Sequence, residues 1–310
     1  MLEFNVNDQL IFTLGSTDDG FTYDDYKELM KSINANNMQK KLSKIKNFNF
    51  TDPDTQNTII HAVLDGTIKS PDLQVDVLLE LHSKGVQIDQ PNIYGDLALH
   101  LAVKNDISEA IDWFYVTNPS LLQTVHSKHH LNLVHYAVVC DSYAALKSLH
   151  EKQPELINQT ITEGAFKGYV SINLFLATLS FKTDVHQDQK ILDDNESLKS
   201  IMDFLLTNST VDTFLIPTKL GTVLHVLVRI NYFEGMEKVI EKLKKEDESL
   251  VEKIFDSKDS SNKTPFFWAL ERSVDEYKAA RSVSFRKKLR FRELQNLGTE
   301  HFYLNFTKKS

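Results

Sequence analysis

The feature that restricts the fold of this 310-residue chain most strongly is a short segment that recurs along it. Its clearest copy, residues 259–269, reads as a tight turn followed by an apolar helix. Thr264 can cap that helix by accepting a hydrogen bond from an unpaired backbone N–H, and Pro265 suits the first helical position because it has no N–H to leave unpaired. Weaker copies lie upstream at 58–62, 92–102, 127–137 and 222–225. Repetition on this scale indicates an array of structural repeats.

The copies resemble the ankyrin repeat, whose hallmark is a turn followed by Thr-Pro-Leu-His-x-Ala. Aligned on the histidine of that pattern, they place there His61, His100, His135, His225 and, as a substitution, Phe267. A sixth, degenerate copy at 171–177 places Phe175 in the same position. The successive intervals are 39, 35, 40, 50 and 42 residues, whereas a regular ankyrin unit has about 33. Each unit is therefore expected to hold extra residues, above all in 66–73 and 182–195.

Each copy is followed by a second segment in which apolar residues recur at helical spacing. In the first full unit these are Val75, Leu78, Leu79 and Leu81, and Gly85 suits the end of that helix. No run in the sequence has the two-residue period of a strand. A two-helix unit cannot bury its apolar face alone, so stacked units must share one core. The sequence thus predicts an all-α, ankyrin-type helical-repeat solenoid with helical N- and C-terminal caps.

The same pattern divides the chain into five segments. They are 1–22 as an unassigned N-terminal segment, 23–53 as a helical N-terminal cap, 54–269 as about five to six diverged repeats, 270–297 as a basic C-terminal cap helix, and 298–310 as a tail. The ends of a repeat array must differ from its middle because each terminal unit lacks a neighbour on one side.

The resemblance implies a role for each residue of the motif. The histidine lies near the helix start and hydrogen-bonds neighbouring backbone, which ties one turn to the next. The leucine position (Leu99 in the second unit) points into the shared core, and the alanine position (Ala102) lies where two helices approach closely. Phe175 and Phe267 cannot make the histidine's bonds, so those junctions are expected to rely on packing.

Composition argues against several classes of function. The formal net charge is −8 and the pI is near 5.8, which disfavours a whole-protein electrostatic grip on nucleic acid. The single cysteine, Cys140, cannot form an intrachain disulfide. No run of about 18 apolar residues predicts a membrane span, and the N-terminus does not read as a secretory signal. We therefore expect a cytoplasmic protein, or one delivered into a host cytoplasm.

Three groups of residues are candidates for metal binding or catalysis. The motif histidines recur because the repeat recurs, and stacked helices would hold them about 10 Å apart, too far to share a zinc ion. His126, His129 and His130 form a denser cluster, which reads as a solvated hairpin tip rather than a metal site. Cys140 follows an apolar run and reads as an inert thiol. No catalytic residue, metal ligand or cofactor is predicted.

The predicted function is a non-enzymatic interaction scaffold. Ankyrin arrays bind partner proteins through a concave face and hairpin tips, and the resemblance implies the same here. The candidate contact residues at the tips are Ile93, Tyr94, Lys128, His129, Lys219 and Leu220. A basic run in the C-terminal cap is best read as a solvated face. The alternative is contact with an acidic protein, with nucleic acid, or with acidic lipid headgroups through Arg286, Lys287, Lys288 and Arg290.

Two further hypotheses remain open. The stretched repeats and the Asn- and Lys-rich composition resemble secreted ankyrin-repeat effectors of intracellular bacteria, which act on host proteins. The alternative is an enzyme whose active site lies in the insertion 182–197 or in the terminal extensions, since a fold does not settle function.

Overall fold

The computed structural model describes residues 22–182, 192 and 195–271. It divides the chain into two compact units, Met1–Pro265 and Phe266–Ser310. Two helices open the described part, α1 (Tyr23–Lys31) and α2 (Met38–Leu42). Helix pairs follow: α3 (Ile59–Leu64) with α4 (Pro71–Ser83), α5 (Ala98–Lys104) with α6 (Ser108–Thr117), α7 (Leu133–Val139) with α8 (Tyr143–Lys152), α9 (Ser171–Lys182) with α10 (Glu196–Asn208). After the short helix α11 (Val211–Phe214) comes the pair α12 (Val223–Arg229) and α13 (Phe233–Glu246), then α14 (Ser249–Asp256).

Short helical turns also follow the second and third pairs, at Pro119–Gln123 and Pro154–Asn158. In the second unit of the chain, residues 266–271 are helical. The predicted basic cap helix beyond 271, the tail 298–310, the segment before residue 22 and most of the insertion 182–197 lie outside the described residues.

The paired helices form two layers. The first helices of successive pairs (α3, α5, α7, α9 and α12) pack on one another in chain order, and so do the second helices (α4, α6, α8, α10 and α13). A shared core of buried aliphatic and aromatic side chains runs between the layers. Over the described residues, the hairpin turns contribute only isolated β-bridges, and no helix there is long and apolar enough to cross a bilayer. The predicted all-α repeat architecture is confirmed.

Side chains of the chain itself close the hairpin turns between repeats. The Asn92 Oδ1 atom accepts hydrogen bonds from the N–H groups of Tyr94 and Asp96, both at 2.9 Å. In the next hairpin, His126 Nδ1 accepts from the N–H groups of Lys128 and His129, both at 3.2 Å. Such side-chain turns fix the backbone of the tip, so the residues they carry are held in defined positions.

The position assigned to Phe175 is corrected by the start of α9. In the regular repeats the histidine is the third helical residue, as in His61 of α3 and His135 of α7. In α9 the third residue is Asn173, and the Leu174 N–H donates to the Val170 carbonyl in the first helical turn. Phe175 therefore lies two positions later, where the second and third repeats have the alanine of the motif.

The structure supports the inter-repeat histidine bond in two repeats. His61 Nδ1 accepts from the Thr58 N–H at 3.1 Å, and its Nε2–H donates to the Asp96 carbonyl at 3.0 Å. His225 repeats this arrangement with the Thr222 N–H at 3.0 Å and the Lys263 carbonyl at 3.1 Å. Each of these rings thus ties its own helix start to the following hairpin.

Two other histidines depart from that expectation. His100 Nδ1 accepts from the Leu97 N–H at 2.9 Å, but its Nε2 has no hydrogen-bond partner among the described residues, and its ring packs edge-on against Tyr136. Neither ring nitrogen of His135 makes a hydrogen bond of normal geometry with a described residue. The hairpin that follows His135 is an irregular loop closed by a hydrogen bond from the Ile161 N–H to the Tyr169 carbonyl.

Candidate interaction site at the second hairpin

A cleft of about 290 Å³ lies where α1, α3 and α5 meet the second hairpin. The residues that line it come from four parts of the repeat array: Tyr23 and Lys27 of α1, Asn57 and Asp65 on either side of α3, Asn92, Tyr94 and Asp96 of the hairpin, and Leu101, Lys104 and Asn105 at α5. This volume is near the lower end of the range for ligand sites, so the cleft matches a single large side chain better than a cofactor.

Asp96 is the polar centre of this site. Its carboxylate Oδ1 accepts hydrogen bonds from His126 Nε2–H at 3.1 Å and from the Tyr136 hydroxyl at 3.0 Å. Its backbone carbonyl accepts from His61 Nε2–H. The second carboxylate oxygen accepts no hydrogen bond from any described residue. One aspartate thus connects the first, second and third repeats and keeps one oxygen available.

His126 is uncharged and donates a hydrogen bond to the Asp96 carboxylate. Its Nδ1 accepts two backbone N–H groups, so the ring proton lies on Nε2 and points to the carboxylate. Burial lowers the pKa of His126, and the nearby Asp96 carboxylate offsets part of that effect. The prediction of a solvated tip is therefore wrong for His126, which is 1% exposed because its ring closes the turn, whereas His129 is exposed.

Two tyrosines give the cleft aromatic walls. Tyr23 is half-buried, and its pKa is raised above the ordinary value by burial first and by the Asp65 and Asp52 carboxylates next. Tyr94 is 56% exposed and its neighbour Ile93 is 43% exposed, although both are large apolar side chains. The hairpin therefore presents a hydrophobic pair to solvent beside a polar cleft.

Four of the six predicted contact residues come together on one surface. Ile93 and Tyr94 lie on the second hairpin, and Lys128 and His129 are exposed on the third. The Lys128 Nζ donates to the Ile93 carbonyl, which connects the two hairpins. We call these four residues the tip patch. Together with the cleft beside it, the tip patch spans two neighbouring repeats.

The other two predicted contact residues lie on a later hairpin, before α12. Lys219 is exposed, whereas Leu220 is half-buried and packs against the core. Their distance along the array separates them from the tip patch.

The described residues contain no group of three His, Cys, Asp or Glu side chains placed to hold a metal ion. His61 and His225 are bonded to their own helix start and to the following hairpin, His100 and His135 are packed in the core, and Cys140 is half-buried at the end of α7. Sequence reasoning missed Tyr23, Asp96 and Tyr136, because nothing local distinguishes them from other tyrosines and aspartates; only the stacking of repeats brings them together.

No protein-family model matches the chain, and no curated protein matches it. Among solved structures, the human ASB11 ankyrin repeat domain is similar with a TM-score of 0.50 and 12% identity, over 79% of this chain and 90% of that one. A chain in the structure of the predatory endopeptidase Bd0816 of Bdellovibrio bacteriovorus in complex with the immunity protein Bd3460 matches with a TM-score of 0.49 and 19% identity, over 72% of this chain and 100% of that one. The stacked helix pairs and the similarity to the ASB11 domain show that this chain has an ankyrin-type fold.

Proposed function

We propose that this chain is a non-enzymatic scaffold that binds a partner protein through its hairpin tips and the adjoining inner helices. The observation that carries the proposal is the exposure of Ile93 and Tyr94 on a turn whose backbone is fixed by Asn92. Two adjacent large apolar side chains held exposed at a rigid tip are the kind of surface that a protein partner covers.

The chemistry of the tip patch supports this role. Tyrosine is a frequent anchor at interfaces because it supplies a large, amphipathic contact area at a low cost in conformational entropy. Lys128 and His129 surround the apolar pair with polar groups, as the rim of an interface does. Stacked repeats also provide an extended surface on which neighbouring units add further contacts.

The experiment is proximity labelling in the native cell type, followed by pull-down with purified variants. The double variant Ile93→Ala/Tyr94→Ala is expected to lose most of the captured partner, since removal of an interface anchor costs about 2 kcal/mol or more. Val116→Ala is the matched control, because Val116 is 82% exposed on the second-layer helix α6. Equal recovery of the partner by wild type and the double variant would contradict the proposal.

The proposal extends to the source of the partner, which we place in a host cell. This part is supported by the resemblance of the stretched repeats to secreted bacterial effectors. A reporter fused to residues 281–310 tests it directly: delivery of the reporter into host cytoplasm supports the extension, and its retention in the producing cell argues against it while leaving the scaffold proposal intact.

A further inference from the structure

The cleft beside the second hairpin is lined by two carboxylates and two ammonium groups, and two more carboxylates lie near its Tyr23 wall. Asp65 and Asp96 line it together with Lys27 and Lys104. The Lys27 Nζ lies 4.0 Å from the carboxylate of Asp24, so part of its positive charge is compensated locally. The lining itself is thus balanced in formal charge, and Asp24 shifts the surround toward negative charge.

The pKa of the Tyr23 hydroxyl also reflects the negative charge around the cleft. Burial is the main reason that its pKa lies above the ordinary value, and the further contributions come from the carboxylates of Asp65, Asp52 and Asp24. All three carboxylates raise the pKa of Tyr23, as negative charge close to an ionisable hydroxyl does. Asp52 and Asp24 thus add negative charge near the cleft beyond its balanced lining.

Asp96 is prepared to receive such a cation. Both donors to its Oδ1, His126 and Tyr136, are uncharged groups, because His126 Nδ1 accepts two backbone N–H groups and so carries no proton. These two bonds orient the carboxylate without neutralising it. The other oxygen has no partner among the described residues, so an incoming donor can use it without displacing an existing bond.

The shape of the cleft selects among cations. Its walls include the ring of Tyr94 and the side chain of Leu101, whereas the ring of Tyr23 has the Lys27 Nζ 5.7 Å from its centroid. A guanidinium group is planar, donates paired hydrogen bonds to carboxylates and stacks on aromatic faces, whereas an ammonium group is a compact and strongly hydrated point charge. A volume of about 290 Å³ holds one long side chain.

We propose that this cleft binds an arginine side chain from a basic segment of the partner protein. The guanidinium group pairs with the carboxylates of Asp96 and Asp65, and its alkyl stem lies along Leu101 and Tyr94. The inference rests on the proposed scaffold function and specifies the chemistry of the partner: a basic segment whose anchoring arginine enters beside the tip patch.

The test uses a phage-displayed library of random peptides selected on the full-length chain, followed by calorimetry with the enriched peptides. We expect arginine at one fixed position. Asp96→Asn is expected to weaken the Kd about tenfold or more, because a charge-assisted pair is lost, and Asp65→Asn is expected to weaken it as well. Asp212→Asn, an exposed aspartate on α11, is expected to leave the Kd unchanged. Replacing the peptide's arginine with lysine should also weaken binding.

Asparagine at position 96 retains an oxygen that accepts from His126 and Tyr136, and thermal unfolding checks that the variant is folded. If Asp96→Asn unfolds, Asp65→Asn decides the question. Arginine peptides whose Kd is the same for wild type and Asp65→Asn would overturn the inference. Enriched peptides that lack a basic residue, but lose binding to Tyr94→Ala, would overturn it and leave the scaffold function standing. Failure to enrich any peptide would count against both.

Discussion

At the scale of single residues, the motif histidines share one position in the repeat but titrate under different constraints. Burial lowers the pKa of all four, and for His100 and His135 it does so to about 4. For His100 the neighbouring His126 adds to the effect, and for His135 the Gln159 backbone offsets part of it. In the unfolded chain the same side chains titrate near 6.5, so acid favours the unfolded state.

We predict that the protein loses stability as the pH falls from about 6.5 toward about 4. Below about pH 6.5, His100 and His135 bind protons in the unfolded chain but stay neutral in the folded chain. The free energy of unfolding therefore decreases with falling pH until the folded-state pKa is reached. Each group contributes a loss of up to roughly 3 kcal/mol, since one pKa unit corresponds to about 1.36 kcal/mol. Urea unfolding monitored by circular dichroism at about pH 7 and about pH 5 measures the change.

His135→Phe is the control for this prediction, because the chain itself places Phe267 at the same position of the motif. The variant should show a smaller decrease between the two pH values than wild type. Identical urea midpoints for wild type at about pH 7 and about pH 5 would contradict the prediction.

At the scale of elements, α9 shows how the same motif accepts a different side chain. Phe175 takes the place that Ala102 and Ala137 have in α5 and α7, yet it is fully buried. Leu227 of α12 is a second large, buried residue at this position. The fourth and fifth repeats therefore fill their helix interfaces with large side chains where the second and third use alanine.

We predict that restoring the motif alanine destabilises the fourth repeat. Phe175→Ala leaves a cavity in the shared core, and replacing a buried phenylalanine by alanine costs about 3–5 kcal/mol. Thr178→Ala on the same helix is the control, with an expected cost below about 1 kcal/mol. The free energy of unfolding from chemical denaturation compares the two. A Phe175→Ala variant as stable as wild type would show that the position behaves as a motif alanine after all.

The sequence sufficed for the elements with strong start signals and not for the others. The motif histidines of the described repeats other than the fourth fixed the first helices α3, α5, α7 and α12 correctly. In α9 the sequence alignment is wrong by two residues, because Val170, Ser171 and Asn173 carry none of the motif's side chains. The exposed tip residues followed from turn chemistry, whereas the Asp96 cleft depends on contacts between repeats, and no local pattern encodes those contacts.

At the scale of the whole molecule, we expect the fourth repeat to be a weak point of the described array. On its N-terminal side, polar atoms of His135, Ser171 and Asn173 are buried without hydrogen-bond partners in the described structure. Within the repeat, residues 183–195 separate α9 from α10, a longer connection than in the other helix pairs. A buried polar group left without a partner costs about 1–3 kcal/mol, and in a repeat array such costs act on the nearest interface.

We predict that the array opens in two steps at this repeat. In native-state hydrogen exchange with increasing denaturant, the amides of α5 to α8 should exchange only through an opening of higher free energy than those of α12 and α13. The measurement is mass-spectrometric exchange of peptides from each helix pair. If the amides from α5 to α13 all exchanged through one opening free energy, the array would instead open as a single unit, and the prediction would be wrong.

Asp96 has a further consequence for how this chain can change over evolutionary time. Repeat proteins gain and lose units through duplication and deletion of gene segments. In this chain His61 donates a hydrogen bond to the Asp96 carbonyl, and the Asp96 carboxylate accepts hydrogen bonds from His126 and Tyr136. Inserting or removing a unit between these partners would separate them. A change in the number of units there would leave the buried rings of His61 and His126 without their hydrogen-bond acceptors.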